Sequence, residues 1–185
     1  MERSLKLSAK EISICALFST LMIVSSHIKI PVGFVPITMS SFTCIITGYF
    51  LGSRLGFLTL FIYMLLGLIG LPIFSGGGGI GYVLSPSFGF VIGYMLSSYI
   101  AGKLFENAKE KSFTKVFLYF AIAGFSLYLI GLPYMALILK FYLKKEISIY
   151  KILKTGFLIF VPGDLLKIFL ATKVAQKFDN KNFQH

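Results

Sequence analysis

The sequence predicts an all-α integral membrane protein: a single compact bundle of six transmembrane helices with both termini in the cytoplasm. Of its 185 residues, 56% are hydrophobic, and the mean hydropathy is +0.84. A soluble domain of this size does not need that much apolar surface, so the surrounding solvent is a lipid bilayer. Charged residues are absent from three long stretches, 30–53, 55–102 and 116–139. Because a spanning helix needs about 20 apolar residues, the stretch 55–102 holds two spans and a loop.

The apolar runs divide into six predicted spans within one membrane domain, 1–185. These spans lie at roughly 11–29, 38–53, 56–72, 87–104, 115–140 and 156–176. The first run follows a basic start, as in a signal peptide, but no Ala-x-Ala-like cleavage site follows it, which favours a mature first helix. Residues 51–56 leave room only for a tight cytoplasmic turn, and the glycines and proline of 67–72 end the third span. Thr38 and Ser41, at the start of the second span, are interpreted as helix-capping residues.

The distribution of basic residues predicts the orientation, and it argues against the nucleic-acid binding that a net charge of +11 alone would suggest. With the N-terminus inside, the cytoplasmic segments hold Arg3, Lys6, Lys10, Arg54, Lys103, Lys109, Lys111, Lys115, Lys173, Lys177 and Lys181, and the outer segments hold Lys29, Lys140, Lys144, Lys145, Lys151 and Lys154. This bias follows the positive-inside rule. The basic loop between the fifth and sixth spans weakens it. That loop is interpreted as solvated or facing lipid headgroups, or alternatively as a funnel for substrate.

An uncharged, glycine-rich segment, 73–86, separates the third and fourth spans. An ordinary exposed loop would be polar, and irregular backbone at membrane depth persists only where it is buried in protein or lines a cavity. We therefore expect this segment to form one wall of an external pocket. Gly76, Gly78 and Gly81 formally match G-x-G-x-x-G, but no strand precedes them and the next acidic residue is the distant Glu106. A dinucleotide site is therefore excluded, and the sequence contains no P-loop for ATP.

Cysteine and histidine residues give no support to a zinc site or to a Cys–His nucleophile pair. Cys15 and Cys44 fall within predicted spans, and His27 and His185 are isolated from them and from each other. None of these spacings matches a metal-binding pattern. The two cysteines are therefore interpreted as small apolar residues.

Two charged residues, Asp164 and Lys167, lie inside the last apolar run. A charge at the centre of a spanning helix costs roughly 2.5–3.5 kcal/mol on insertion scales. Residues three apart share one helical face, so the acid and the base can contact each other or a common ligand. Pro162 and Gly163 interrupt the chain just before Asp164, which predicts a position near the outer end of the sixth helix. The pair is interpreted as a ligand-binding site, the alternative being an ion pair that only pins the helix.

Several short motifs, in order and with their spacing, resemble one known family. They are Val35-Pro-Ile-Thr38, Leu51-Gly-Ser-Arg-Leu-Gly56, Tyr63-Met-Leu-Leu-Gly-Leu-Ile-Gly-Leu-Pro-Ile-Phe74, the glycine segment, Ser85-Pro-Ser-Phe-Gly-Phe90 with Gly93, and Val161-Pro-Gly-Asp-Leu-Leu-Lys167. Over nearly its whole length the chain resembles the BioY family, the biotin-binding S components of energy-coupling-factor (ECF) transporters. It departs from the family's Gly-Pro-Thr-Gly-Gly-Tyr motif, because Phe88 replaces a glycine and Phe90 a tyrosine.

The resemblance implies that the chain captures biotin at the outer face of the bacterial cytoplasmic membrane. It implies that Asp164 and Lys167 lie in the pocket. The further candidate substrate-binding residues are Ser75, Gly77, Gly78, Tyr82, Ser85, Ser87, Phe88 and Phe90, with Phe34 and Phe74 as additional apolar candidates. An ionised Asp only accepts hydrogen bonds, so Asp164 suits the two ureido N–H groups of biotin. Lys167 only donates, and it suits either the ureido carbonyl or the carboxylate of the tail.

The resemblance also implies partner subunits, which would supply the energy for uptake. These are a transmembrane coupling subunit, docked on the first helix at Ala16, Ser19 and Thr20, and two ATPase subunits that bind the ATP. The chain itself would need no cofactor and would not be an enzyme. The alternatives are an S component for another small vitamin-like ligand such as lipoate, an intramembrane enzyme that uses Asp164, and a structural subunit of a larger complex. No other acid or histidine lies well inside a span, which disfavours the enzyme.

Overall fold

A computed structural model describes residues 7–108, 112–145 and 147–178, which are mostly helical. The α-helices are α1 Ala9–His27, α2 Ser40–Leu68, α3 Phe88–Glu106, α4 Phe113–Ser126, α5 Tyr128–Leu137, α6 Ile149–Leu153 and α7 Val161–Lys177. Between them lie two strands (β1 Lys29–Ile30 and β2 Ile37–Thr38), a 3₁₀ turn (Ile80–Leu84) and two π-helical segments (Ile138–Tyr142 and Lys154–Leu158). Six residues named in the sequence analysis lie outside the described residues: Arg3, Lys6, Lys109, Lys111, Lys181 and His185.

Four helices within the described residues are long and apolar enough to cross a membrane. They are Ala9–His27, Ser40–Leu68, Phe88–Glu106 and Phe113–Tyr142. A multi-pass membrane protein is therefore confirmed at this level. The count of six spans and the cytoplasmic placement of both termini stay predictions. The count differs because the sequence predicts two spans where the structure has the single helix α2, and one further span over α7, which is not among these four helices.

The helix α2 contains the turn that the sequence predicts between the second and third spans. Gly52 lies inside it with φ 77° and ψ 178°, a conformation that is not helical and that favours glycine. A Cβ placed on Gly56 would lie only 3.1 Å from the Cα of Gly48. In a continuous helix, residues eight apart are separated by about 12 Å along the axis. The chain therefore folds back at Gly52, and α2 consists of two arms packed against each other.

The end of α3 holds this turn in place. The Glu106 carboxylate accepts hydrogen bonds from the backbone N–H of Ser53 at 2.7 Å and from its hydroxyl at 2.8 Å. These bonds satisfy an N–H group at the start of the second arm, which would otherwise lack a helical partner. A Cβ on Gly102 would overlap the backbone of Gly52 and Ser53, so glycine permits the close approach of α3.

The last predicted span differs from a single helix. Residues 156–176 begin in the second π-helical segment, pass a turn at Ile159–Phe160 and continue as α7. Pro162 stands at the start of α7, where its missing N–H costs nothing. Asp164 thus lies in the first turn of a helix, where the helix dipole favours a negative charge.

The start of α2, the start of α5 and the start of α7 meet beside the segment that joins α1 to α2. Strands β1 and β2 pair antiparallel, with Lys29 opposite Thr38 and Ile30 opposite Ile37. The pairing holds residues 31–36 as a loop against these helix ends, since Val35 is buried among Phe90, Leu127 and Tyr128. Asp164 and Lys167, the charged side chains buried within the described part of the chain, lie here, which makes this convergence the candidate site.

Candidate ligand-binding site

Asp164 and Lys167 form a buried ion pair. The Lys167 Nζ lies 3.0 Å from the Asp164 Oδ1, and each residue is only 7% exposed. Their spacing in α7 places both on the same helical face, as predicted. Removing two charges from solvent is costly, and the attraction between them offsets this cost only if further hydrogen bonds satisfy both groups.

Two hydroxyl groups from other helices supply those hydrogen bonds. The Ser41 hydroxyl, from the first turn of α2, donates to Asp164 Oδ1 at 3.0 Å and accepts from Lys167 Nζ at 2.9 Å. The Tyr128 hydroxyl, from the first residue of α5, donates to Asp164 Oδ2. The carboxylate thus accepts three hydrogen bonds from three helices, and we call these four residues the Asp164 cluster.

A cavity of about 20 Å³ adjoins the Asp164 cluster. A second cavity of about 20 Å³ lies next to it and is lined by Ser75, Tyr82 and Ser87 from the glycine segment and its flank. Residues that line both cavities are Val35, Pro36, Thr38, Phe90 and Tyr94. Each cavity holds on the order of one water molecule, whereas pockets for small ligands are about 300–1,000 Å³. The structure therefore shows a closed site in two small parts, whose common wall includes loop residues and two aromatic residues of α3.

The serine and tyrosine residues predicted from the glycine segment form one hydrogen-bonded group. The Tyr82 hydroxyl contacts the Ser75 hydroxyl at 3.2 Å and the Ser87 hydroxyl at 2.8 Å. Ser85 contacts Ser87 at 2.8 Å. These four residues also line a wider, open cavity of about 530 Å³, together with Phe34 and Gly78. They therefore lie between the surface opening and the inner cavity.

Phe90 lies in the wall common to both inner cavities, as expected for an apolar residue that contacts ligand. Phe88, in contrast, is buried among Phe74, Tyr82 and Tyr134, with ring centroids 5.9–6.3 Å apart. It does not line the three cavities described above. Its role as a ligand contact stays a prediction, and its observed contacts are those of a packing residue.

The two predicted glycines have visible structural roles. Gly77 adopts φ 119° and pairs through its backbone with Phe74, so a side chain there would strain the turn. A Cβ on Gly78 would overlap the carbonyl of Leu71. Both positions shape the wall that carries Ser75. Contact of either glycine with ligand stays a prediction.

Three residues of the site were not predicted from the sequence. Ser41 was predicted to cap a helix, but its hydroxyl donates a hydrogen bond to Asp164. Tyr94 and Tyr128 lie in charge-free apolar runs and were not predicted to line the site. One signal could have found them. A carboxylate buried in a bilayer needs donors, and tyrosine and serine supply hydroxyl groups without adding charge.

The residues expected to dock a partner lie on two faces of α1. Ala16 and Thr20 are exposed, and the Thr20 hydroxyl bonds to the carbonyl of Ala16 within the helix. Ser19 is buried at 6% exposure, and its hydroxyl donates to the carbonyl of Thr59 at 3.3 Å. Ser19 therefore attaches α1 to α2 in this structure, and docking at all three positions stays a prediction.

Comparison with known proteins places the chain among its relatives. The chain is 32% identical over 163 residues to the "Probable biotin transporter BioY" of Lysinibacillus sphaericus, covering 88% of this chain and 83% of that one. It is 34% identical over 161 residues to the "Biotin transporter BioY" of Thermotoga maritima, covering 86% and 89%. The crystal structure of an S-component for biotin from an ECF-type ABC transporter shares its fold, with a TM-score of 0.79 and 21% identity over 97% of this chain and 100% of that one. The model of the BioY family matches residues 1–182, so the chain belongs to the BioY family.

Proposed function

We propose that this chain binds biotin at the Asp164 cluster and delivers it, as the substrate-binding subunit, to an ATP-driven ECF transporter. One observation carries the proposal: a buried acid–base pair, supported by two hydroxyls, adjoins a divided cavity in a member of the BioY family. A buried ion pair need not stabilise the fold, because the cost of desolvating both charges can cancel their attraction. Charged residues inside a membrane generally mark functional sites.

The donors and acceptors of the cluster complement a ureido group. Asp164 presents acceptors to the two ureido N–H groups, and Lys167 presents donors to the ureido carbonyl. The described contacts use two of the three Lys167 ammonium protons, which leaves one for a ligand. Because Lys167 lies beside Asp164 in the same cavity, we favour the ureido carbonyl over the tail carboxylate as its partner.

The rest of the ligand would lie across the wall that both cavities share. Phe90 and Tyr94 offer aromatic surface to the sulfur-containing ring. The tail would then run toward Ser75, Tyr82 and Ser87, whose hydroxyls can donate to its carboxylate. Such a pose requires the cavities to widen and join, because each holds too little space for the ligand, and the loop between β1 and β2 carries Val35 and Pro36 of their common wall.

Partner subunits would supply the energy. The sequence has no P-loop, so ATP would be hydrolysed by two ATPase subunits linked through a transmembrane coupling subunit in the bacterial cytoplasmic membrane. Ala16 and Thr20 keep small side chains exposed on α1, where another helix can approach closely. In this scheme the chain is a transport subunit and catalyses no reaction.

Binding of labelled biotin to the purified protein tests the proposal. We expect saturable, stoichiometric binding that excess unlabelled biotin displaces and that lipoate does not. A protein that ignores biotin but binds another vitamin-like compound would instead be an S component for that compound. ATP-dependent biotin uptake by cells that express the chain with and without ATPase and coupling subunits tests the role of the partners.

A further inference from the structure

A second groove lies in the loop between the fifth and sixth predicted spans. It has a volume of about 750 Å³, and its lining includes Leu139, Lys140, Lys144, Lys145, Ile147 and Ile152. We call it the basic groove, and we propose that it binds an anionic phospholipid. The proposal does not rest on the biotin assignment, because none of its lining residues lines the cavities of the candidate site.

The floor of the basic groove is apolar. Leu139 is fully buried beneath it, and Ile147 and Ile152 are half-buried. A floor of this kind favours an alkyl chain, since each buried methylene contributes to binding. A small hydrophilic anion would leave that surface in contact with water.

The rim of the groove is cationic. Lys140, Lys144 and Lys145 are exposed there, and none of the described lining residues is acidic. From 140 to 154 the sequence holds five lysines and one acid, Glu146, which lies outside the described residues. Three lysines around one opening attract a negatively charged phosphate group.

The backbone at Lys144 has a conformation that is uncommon for residues other than glycine. Lys144 adopts φ 48°, the left-handed region that glycine prefers at helix ends. The next residue, Lys145, donates its N–H to the carbonyl of Leu139 at 2.9 Å, which fixes this turn beside the floor. A lysine therefore stands where glycine would be less strained, and its exposed side chain lines the groove.

The surroundings of the groove place it at the membrane surface. Phe141, Tyr142, Ile149 and Tyr150 are between 53% and 77% exposed. Aromatic residues together with lysines are typical of the interface between hydrocarbon and headgroups. An amphipathic anion at that depth is an anionic phospholipid, with its phosphate at the lysine rim and part of a chain on the apolar floor.

The experiment compares two variants of equal charge. Lys140→Gln/Lys144→Gln removes two cations from the groove and retains Lys145, whose Nζ lies 4.8 Å from the centroid of the Phe34 ring beside the candidate site. Lys151→Gln/Lys154→Gln removes two cations from the same loop that do not line the groove. Native mass spectrometry measures the binding of added phosphatidylglycerol and phosphatidylcholine to the detergent-purified proteins, and the unfolding temperature, followed with a thiol-reactive dye, checks that each variant is folded.

We expect the wild type to bind phosphatidylglycerol more tightly than phosphatidylcholine. The groove variant should lose this affinity by roughly thirtyfold, whereas the control variant should stay within about twofold of wild type. Equal losses in both variants would show diffuse attraction rather than a site and would overturn the proposal. So would equal affinity for the two lipids, or displacement of phosphatidylglycerol by biotin, which would assign the groove to the substrate.

Discussion

Asp164→Asn changes one oxygen of the site to an amide nitrogen and leaves the shape almost unchanged. The carboxylate accepts hydrogen bonds from Ser41, Tyr128 and Lys167 in the closed structure. Asparagine retains one acceptor oxygen and presents an NH₂ donor in place of the other. If a ureido group binds here, one of its N–H groups loses its acceptor and faces a donor instead.

The size of the effect follows from these contacts. A hydrogen bond to a charged group contributes about 1.5–3 kcal/mol, and a buried donor left without a partner costs about 1–3 kcal/mol. A net loss of about 2–4 kcal/mol corresponds to a rise in the biotin Kd of roughly 30- to 700-fold. The same substitution leaves Lys167 buried without its counter-ion, which lowers stability by about 3–5 kcal/mol.

A second variant separates these two effects. Asp164→Asn/Lys167→Met removes both charges, and an apolar replacement of a buried ion pair is often neutral for stability. Isothermal titration calorimetry in detergent measures biotin affinity. Unfolding is followed with a thiol-reactive dye, since Cys15 and Cys44 are both buried.

If the pair binds ligand, the double variant regains stability but not affinity. If the pair only pins α7, the double variant regains both. Unchanged biotin affinity in a folded Asp164→Asn protein would refute the assignment outright.

Two further predictions concern the support of the site and of the fold. Tyr128→Phe adds no charge and removes the hydroxyl that can turn from Asp164 to the ureido carbonyl, so we expect biotin affinity measured by calorimetry to fall by about tenfold; an unchanged value would contradict a role for this hydroxyl. Gly102→Ala places a methyl group into the backbone of Ser53, and the thiol-dye assay should show a lower unfolding temperature. Gly163→Ala meets no atom within 4 Å and serves as the matched control, with a temperature close to wild type.

The sequence was informative wherever a local rule has few exceptions. Charges are so costly in a bilayer that the position of Asp164 and Lys167 inside an apolar run was enough to predict a site there. The linker at 51–56 was too short for anything but a turn, and Gly52 provides it. Hydropathy, in contrast, could not show that the last span is divided at Phe160, because π-helical and α-helical residues are equally apolar.

The partners of the charged pair depended on packing, which a single sequence does not reveal. Ser41 and Tyr128 lie 123 and 36 residues away from Asp164 along the chain. A serine at the start of a helix normally indicates a cap, and a tyrosine in an apolar run normally indicates packing or an interface. Only the convergence of three helix starts brings both hydroxyls to one carboxylate.

This arrangement also bears on which ligands the site can accept. The three hydrogen bonds to Asp164 use three of the roughly four lone-pair positions of its two oxygens, so a ligand that brings two donors must displace one of them. The displaced Tyr128 or Ser41 hydroxyl then needs a new acceptor, because a buried donor without a partner is costly. A ureido group supplies both parts of the exchange, with its N–H groups for the carboxylate and its carbonyl for the displaced donors. Lipoate has no N–H group and offers only the acceptors of its carboxylate. We therefore expect the cluster to select biotin over lipoate, because lipoate supplies no donor for Asp164 and cannot replace the hydrogen bond of a displaced hydroxyl.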